Sequence, residues 1–544
     1  MTTTLSANPA EGTQRSDLLI DARAAAELVP LGAVVAVGGS GSLLQVPESV
    51  LAAVGECFRQ TGAPSGLTVV HTMGLGDHTG RGVDHLAQRS LVSRFIGSHF
   101  VLSPAEQALI GANEVEAIGL PAGTISLLYR EIAACRPGLF TDIGLRTHVD
   151  PRQQWGRMNE ATQTGISELV SVGGRDWLFY PWFGIDVAII RATAADADGN
   201  LSMDDEAAWS DNLAIAQAAH NSGGIVIAEV KEFVARGTIP ASRVRVPGVL
   251  VDHVVLTDFP NQTPITVVDP TRTGLTVNAP REIDILPLDH RKVIARRAAM
   301  EIAEGQLVNL GVGMANGISY VVLEEGFLDD ITLTVEQGIY GGLPGLGLDS
   351  GTAINPSAII DMSSQFDLYD GGALDFAGLA FAQVDRWGNV NVARVGSVPI
   401  GPGGFIDISQ KASTVAFCGT FRGGSLDIGI SPAGVSIERE GRYAKFVERV
   451  EYVSFNAEQA LAEGRRAFYV TERAVFVLGA DGIELIEVAP GIDLERDVLA
   501  LLPFAPVIRK DPLVMDSRLF DPARMGIRPK PRDRSTRRKR EVRA

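Results

Sequence analysis

Glu336 stands alone as a nucleophile candidate, in the segment Ile331-Thr-Leu-Thr-Val-Glu-Gln-Gly338. An apolar, β-branched run delivers one carboxylate to its C-terminal end, and Gly338, Gly341, Gly342, Pro344, Gly345 and Gly347 follow. Val, Ile and Thr favour strands, and glycine permits close approach of backbone to ligand. A carboxylate at the mouth of a strand in an α/β sheet is well placed for ligand chemistry. On the segment alone, a strand-end acid facing water is the competing reading.

Other chemistry-bearing residues form weaker patterns. Gly38-Gly-Ser-Gly-Ser42 follows a strand and precedes Val46-Pro47-Glu48, where proline suits a first helical turn. Its N–H groups could hold an anion, and a plain tight turn at a sheet edge is the equal alternative; it is neither a G-x-G-x-x-G nor a P-loop motif. Gly401-Pro-Gly403-Gly404-Phe405 could aim unobstructed N–H groups at an oxyanion, or be a simple turn. His71, His78 and His85 recur every seven residues beside Asp77 and Asp84, but this is not a compact ligand spacing, so no metal is expected. No G-x-S-x-G elbow lies near a plausible triad, and no cysteine has an obvious histidine partner.

These residues need a scaffold, and an internal repeat supplies it. Gly32-Ala-Val-Val-Ala-Val-Gly38 is echoed by Gly305-Gln-Leu-Val-Asn-Leu-Gly311, each with glycines six positions apart. Leu67-Thr-Val-Val-His-Thr-Met-Gly74 matches the Glu336 segment, with Thr72 at the position of Glu336. Asp186, Asp196, Gly199 and Asn200 recur as Asp375, Asp385, Gly388 and Asn389 with the same spacing of ten, three and one. Asp-x-x-Gly-Asn is good turn chemistry. The expectation is two tandem, duplicated open α/β domains with mostly parallel sheets, only the second carrying the carboxylate. Five prolines between Asp258 and Pro287 place a linker at 260–287. The first half then spans 18–259 and the second 288–525, with 1–17 a flexible N-terminus and 526–544 a basic, disordered tail.

The bulk numbers set limits. The chain has 544 residues, 45% hydrophobic, with 59 glycines, which suffices for several domains. A formal charge of −17 argues against a nucleic-acid binder but not against a polyanionic ligand held by backbone amides. Nine Lys/Arg against two acids make Arg528–Ala544 the basic exception. Cys57, Cys135 and Cys418 suggest no disulfide framework or zinc site. Met1–Asp17 lacks a signal-peptide pattern, and no apolar run of about 18 residues spans a membrane, so a cytoplasmic protein without a membrane partner is expected.

Taken together the segments resemble the family I CoA-transferases, most closely the acetate/propionate type, over about residues 17 to 525. In the first half the likeness rests on Val35-Ala-Val-Gly-Gly-Ser-Gly-Ser-Leu-Leu-Gln-Val-Pro-Glu48, on Leu139 to Gln153 and on Ile185 to Leu201. In the second half it rests on Val335-Glu-Gln-Gly338, Asn355 to Asp361, Gln365 to Gly372, Gln383 to Asn391 and Gly401-Pro-Gly-Gly-Phe-Ile-Asp407. The resemblance implies that Glu336 is the catalytic glutamate. It implies that Gly403, Gly404 and Val312 supply backbone donors to an oxyanion. Gly38, Gly39, Ser40, Gly311, Gly313, Gln337 and Gly338 are the implied substrate- and CoA-binding positions. It further implies transfer of CoA from an acyl-CoA to a carboxylate, short-chain acids such as acetate or propionate foremost. Coenzyme A is then substrate and covalent intermediate, with no permanently bound cofactor, and the protein is a homo-oligomer, dimer or tetramer. An acyl-CoA thioesterase and a non-catalytic CoA-ester-binding protein are the alternatives.

Overall fold

A computed structural model describes residues 18–276 and 282–531. The expected N-terminal segment 1–17, the tail from 532 and residues 277–281 of the expected linker lie outside the described residues.

Seven parallel strands form the body of the first sheet. In spatial order they are His253–Leu256, Ile225–Val234, Val187–Asp196, Val34–Val37, Leu67–His71, Val92–Gly97 and Glu116–Gly119. Val187–Asp196 is buried at all ten positions, as a central parallel strand covered on both faces must be. The chain runs outward from Val34–Val37 to one edge, then returns to that strand's other side with Val187–Asp196. The strand order therefore reverses beside Val34–Val37.

The second sheet repeats this plan. Thr332–Val335, Leu307–Leu310, Phe376–Ala380, Thr414–Cys418 and Arg466–Val470 lie parallel in that order, and antiparallel strands extend both edges. Its order reverses between Leu307–Leu310 and Phe376–Ala380. In open α/β sheets this is where ligand crevices form, at the carboxyl ends of the strands. Glu336 follows Thr332–Val335 at that end.

The repeated residues do the same work in both halves. Asp186 Oδ2 accepts from Val34 N at 2.8 Å, and Asp375 Oδ2 accepts from Leu307 N at 2.9 Å, so each fixes the start of the strand beside it. Asp196 Oδ1 accepts from Asp198 N and Asn200 N, and Asp385 Oδ1 from Trp387 N and Asn389 N. Gly199 and Gly388 sit at φ +87° and +92°, left-handed backbone that glycine adopts without strain. Asn200 and Asn389 then each accept a distant backbone N–H, from Gly248 and Ala457. Asp385 is fully buried and also takes the Val450 N–H. Asp385→Ala leaves these donors without their acceptor. It should lower the second half's unfolding free energy by about 3 kcal/mol, read as an earlier urea midpoint.

The stretch after Leu256 is bonded first to the first half, through Asp258 N to Ser49 and Gln262 Nε2 to Asp205 O, and from Thr263 onward to the second half. Arg272 reaches Asp349 and Thr352, Thr263 Oγ1 donates to Asp349 at 2.7 Å, and Asn355 N donates to Thr271 O at 2.7 Å. The start of the expected disordered tail is a correction. Gly526 and Ile527 donate to the Glu325 carboxylate, and Lys530 pairs with Glu301. These buried or paired acids dock residues 526–530 onto the second half.

Candidate active site

Between the halves lies a cavity of about 740 Å³. The second half lines it with Gly311–Met314, Glu336, Gln337, Leu346–Leu348, Leu379 and the 400–405 loop, and the first half with residues near Gly41, Gly74 and His99. Most of the lining is apolar. Glu336 supplies the carboxylate at the centre of the glycine turns.

Glu336 is half-buried and lines this cavity. Loss of hydration pushes its carboxyl up to about 7, partly offset by the neighbouring Gln337 amide. Beneath its strand lies a neutral polar layer. Tyr369 Oη donates to Thr334 Oγ1 at 2.8 Å, Thr334 Oγ1 donates to Val308 O, and Asn309 Nδ2 donates to Tyr369 Oη at 3.0 Å. Gln337 faces the first half, and its Nε2 donates to Ser40 Oγ at 2.8 Å. Thr72, Glu336's counterpart, is buried, and its hydroxyl donates to Asp211 at 2.7 Å.

Gly404 touches the carboxylate. A Cβ built on it would lie 1.9 Å from Glu336 Oε2. Gly404 caps the helix Phe405–Lys411, and its N–H has no acceptor among the described residues. The N–H of Val312, across the same cavity, is likewise without one. In the first turn of that helix Asp407 is buried, and loss of hydration pushes its carboxyl well above the usual carboxylate range.

Gly403 corrects an expectation. Its N–H donates to Ser98 O at 2.7 Å and its carbonyl accepts from Ala122 N at 2.9 Å. Both groups serve to clamp the loop onto the first half, so Gly403 has no N–H to offer an oxyanion. Several binding candidates are also displaced. Gly38 and Gly39 do not line the cavity; they pack against Asn212 and against Gln45 and Val46, where a Cβ would come within 2.3 and 2.9 Å of its nearest neighbour. Ser40 meets the site only through Gln337. Gly338 sits in a turn at φ +96° against Ile360 O, away from the cavity. Gly311 lines it, but its N–H donates to Gly378 O at 2.8 Å. Gly313 lines it at φ +89° with open space where a Cβ would stand.

The histidines separate. His71 Nε2 meets Glu106 Oε1 at 2.9 Å in the core and His85 Nε2 meets Glu48 Oε1 at 2.7 Å, while His78 lines the cavity. Among the described residues no cluster of three or more His, Cys, Asp or Glu could hold a metal. Ser98 and His99, absent from the sequence reading, border the site. Their signal was their place just past Gly97, at the carboxyl end of a parallel strand.

Residues 20–257 match the family model described as Coenzyme A transferase. The chain is 40% identical over 522 residues to Acetate CoA-transferase YdiF of Escherichia coli strain K12, covering 94% of this chain and 96% of that one. The chain belongs to the coenzyme A transferase family. This CoA-transferase is also 42% identical over 509 residues to Caffeate CoA-transferase of Acetobacterium woodii, covering 92% and 97% of the two chains. Its fold superposes on the crystal structure of the acyl-CoA transferase YdiF apoenzyme from Escherichia coli O157:H7 with a TM-score of 0.90 at 39% identity, covering 98% and 100%. The thioester complex of that enzyme with CoA matches equally, with a TM-score of 0.90 at 39% identity over 95% and 98%. The CoA-transferase moves CoA from an acyl-CoA to a carboxylate. Among its described residues no helix is long and apolar enough to cross a membrane.

Proposed function

We propose that the transfer runs by a ping-pong route through a glutamyl-CoA thioester on Glu336. The carrying observation is this carboxylate against Gly404, in a cavity that Val312 also lines, with neither residue's N–H bonded to an acceptor among the described residues. The ionised Glu336 attacks the thioester carbonyl, and the tetrahedral oxyanion collapses by expelling CoA thiolate, leaving an acyl-glutamyl anhydride. The thiolate attacks the glutamyl carbonyl, the acyl carboxylate departs, and CoA stays on Glu336. An incoming carboxylate reverses these steps. Each passes through an oxyanion, so backbone donors contribute a few kcal/mol apiece. Thiolate and carboxylates react as anions, which leaves no proton to relay.

The solved thioester complex of the YdiF relative supports a covalent CoA species. The relatives' names, acetate and caffeate, bracket the acyl group; we place short-chain acids such as acetate or propionate first. We also propose two domains, 18–259 and 288–525, joined by 260–287, in a cytoplasmic homo-oligomer.

Borohydride reduction after incubation with acyl-CoA, followed by peptide mass analysis, tests the route. Reduced glutamyl thioester at Glu336 is the expected result, and an unmodified Glu336 under turnover overturns it. Free CoA released equally fast without acceptor would mark a thioesterase instead. The first half-reaction carries a pH signature. Attack requires the anion and burial raises Glu336 to about 7. The rate of thioester formation should therefore climb about tenfold per pH unit below that value and level off above it, measured by rapid-quench mass analysis.

A further inference from the structure

The route above takes no side chain from the first half, although that half walls one side of the cavity. The wall includes Met73, Gly74, His78 and His99. His99 lies between two residues bonded to the loop that leads to Gly404. Ser98 O accepts from Gly403 N at 2.7 Å, and Phe100 N donates to Ile400 O at 2.9 Å. These bonds bracket His99 and hold its backbone against the 400–403 segment, one residue short of Gly404. A Cβ on Gly401 would stand 3.0 Å from His99 Cα, and one on Gly74 would stand 2.7 Å from His99 Nδ1. Glycine at 74 thus makes the space in which the imidazole lies.

The ring has capacity to donate. His71, His85 and His148 each hold a carboxylate or a carbonyl, whereas neither ring nitrogen of His99 has a partner among the described residues. Burial, with the imidazoles of His71 and His78 nearby, holds His99 down to about 4, so the ring is neutral. Cations are scarce here: the cavity's Lys and Arg side chains are Arg291 and Lys292, and Lys292 is tied to Glu324 and Leu286 O.

We propose that His99 is a positioning residue for the carboxylate substrate, its imidazole N–H donating to a carboxylate oxygen beside Glu336. A neutral donor suits this task. It orients the acid, while a cation would bind the free carboxylate tightly and blunt it as a nucleophile. The inference rests on the transfer route proposed above.

The test compares His99→Phe, which keeps a ring without a donor, with His99→Gln, which keeps an N–H. In His99→Phe the KM for the carboxylate should rise about tenfold, the worth of one hydrogen bond to a charged group. In His99→Gln it should return to within about threefold of the parent, and in both the KM for acyl-CoA should move less than that for the carboxylate. Equal carboxylate KM values in the two variants, or no rise in His99→Phe, overturn the proposal. Borohydride labelling of Glu336 is run alongside. Labelled variants are folded and competent, while absence of label in the parent enzyme overturns the transfer route itself.

Discussion

Glu336→Gln abolishes CoA transfer, by about 10⁴-fold or more in kcat, because the glutamine amide is no nucleophile and every other group at the centre only assists it. Borohydride labelling disappears with activity. The fold survives, and its pH response identifies the cause of the loss. Burial raises the Glu336 carboxyl to about 7, above its unfolded value, so the stability the wild type holds at low pH is lost as pH rises through about 7. Glutamine carries no charge to bury. The melting temperature of Glu336→Gln relative to wild type should therefore increase between pH 6 and pH 8. A variant that is inactive and also less stable at pH 8 would mean that the carboxylate holds the structure rather than does the chemistry.

Gly404→Ala should lower kcat at least about 100-fold with little change in stability. Gly404 has φ −83° and ψ 5°, a conformation alanine accepts, so the substitution strains no backbone. Its one new methyl group would lie 1.9 Å from Glu336 Oε2. Either the carboxylate or the loop must shift, and displacement of a reacting group by about 1 Å costs on the order of 10²-fold. Gly403→Ala is the control. Gly403 sits at φ +54° with nothing near a built Cβ, so alanine there strains the backbone without touching the carboxylate. Its effect should fall on stability more than on kcat. Equal kcat losses in the two variants would separate the damage from contact with Glu336.

The duplicated plan was legible in the chain because its signals are local. Asp196, Gly199 and Asn200 and their counterparts build turns from residues close in sequence, and Asp186 and Asp375 stand ten positions before them, so spacing alone exposes the set. Glu336 was legible for the same reason, as the last residue of a β-branched run. Contacts across the halves left no trace. Ser98 and Gly403 are about 300 positions apart, and nothing in either neighbourhood announces that one carbonyl takes the other's N–H. The Gly38-Gly39 turn misled by its composition. Two glycines there are required by crowding against Asn212 and Gln45, and that demand for space looks the same in sequence as a demand from a ligand.

Thr72, bonded to Asp211 where the other half bears its carboxylate, leaves the first copy no nucleophile to preserve. In an assembly of two identical subunits any substitution appears on both faces of the contact at once. Joined in one polypeptide, the copies drift independently. Selection for a different acid can then rework the Gly74–His99 wall while the strand of Glu336 stays untouched. Chains of this kind should change substrate through the twin that carries no nucleophile.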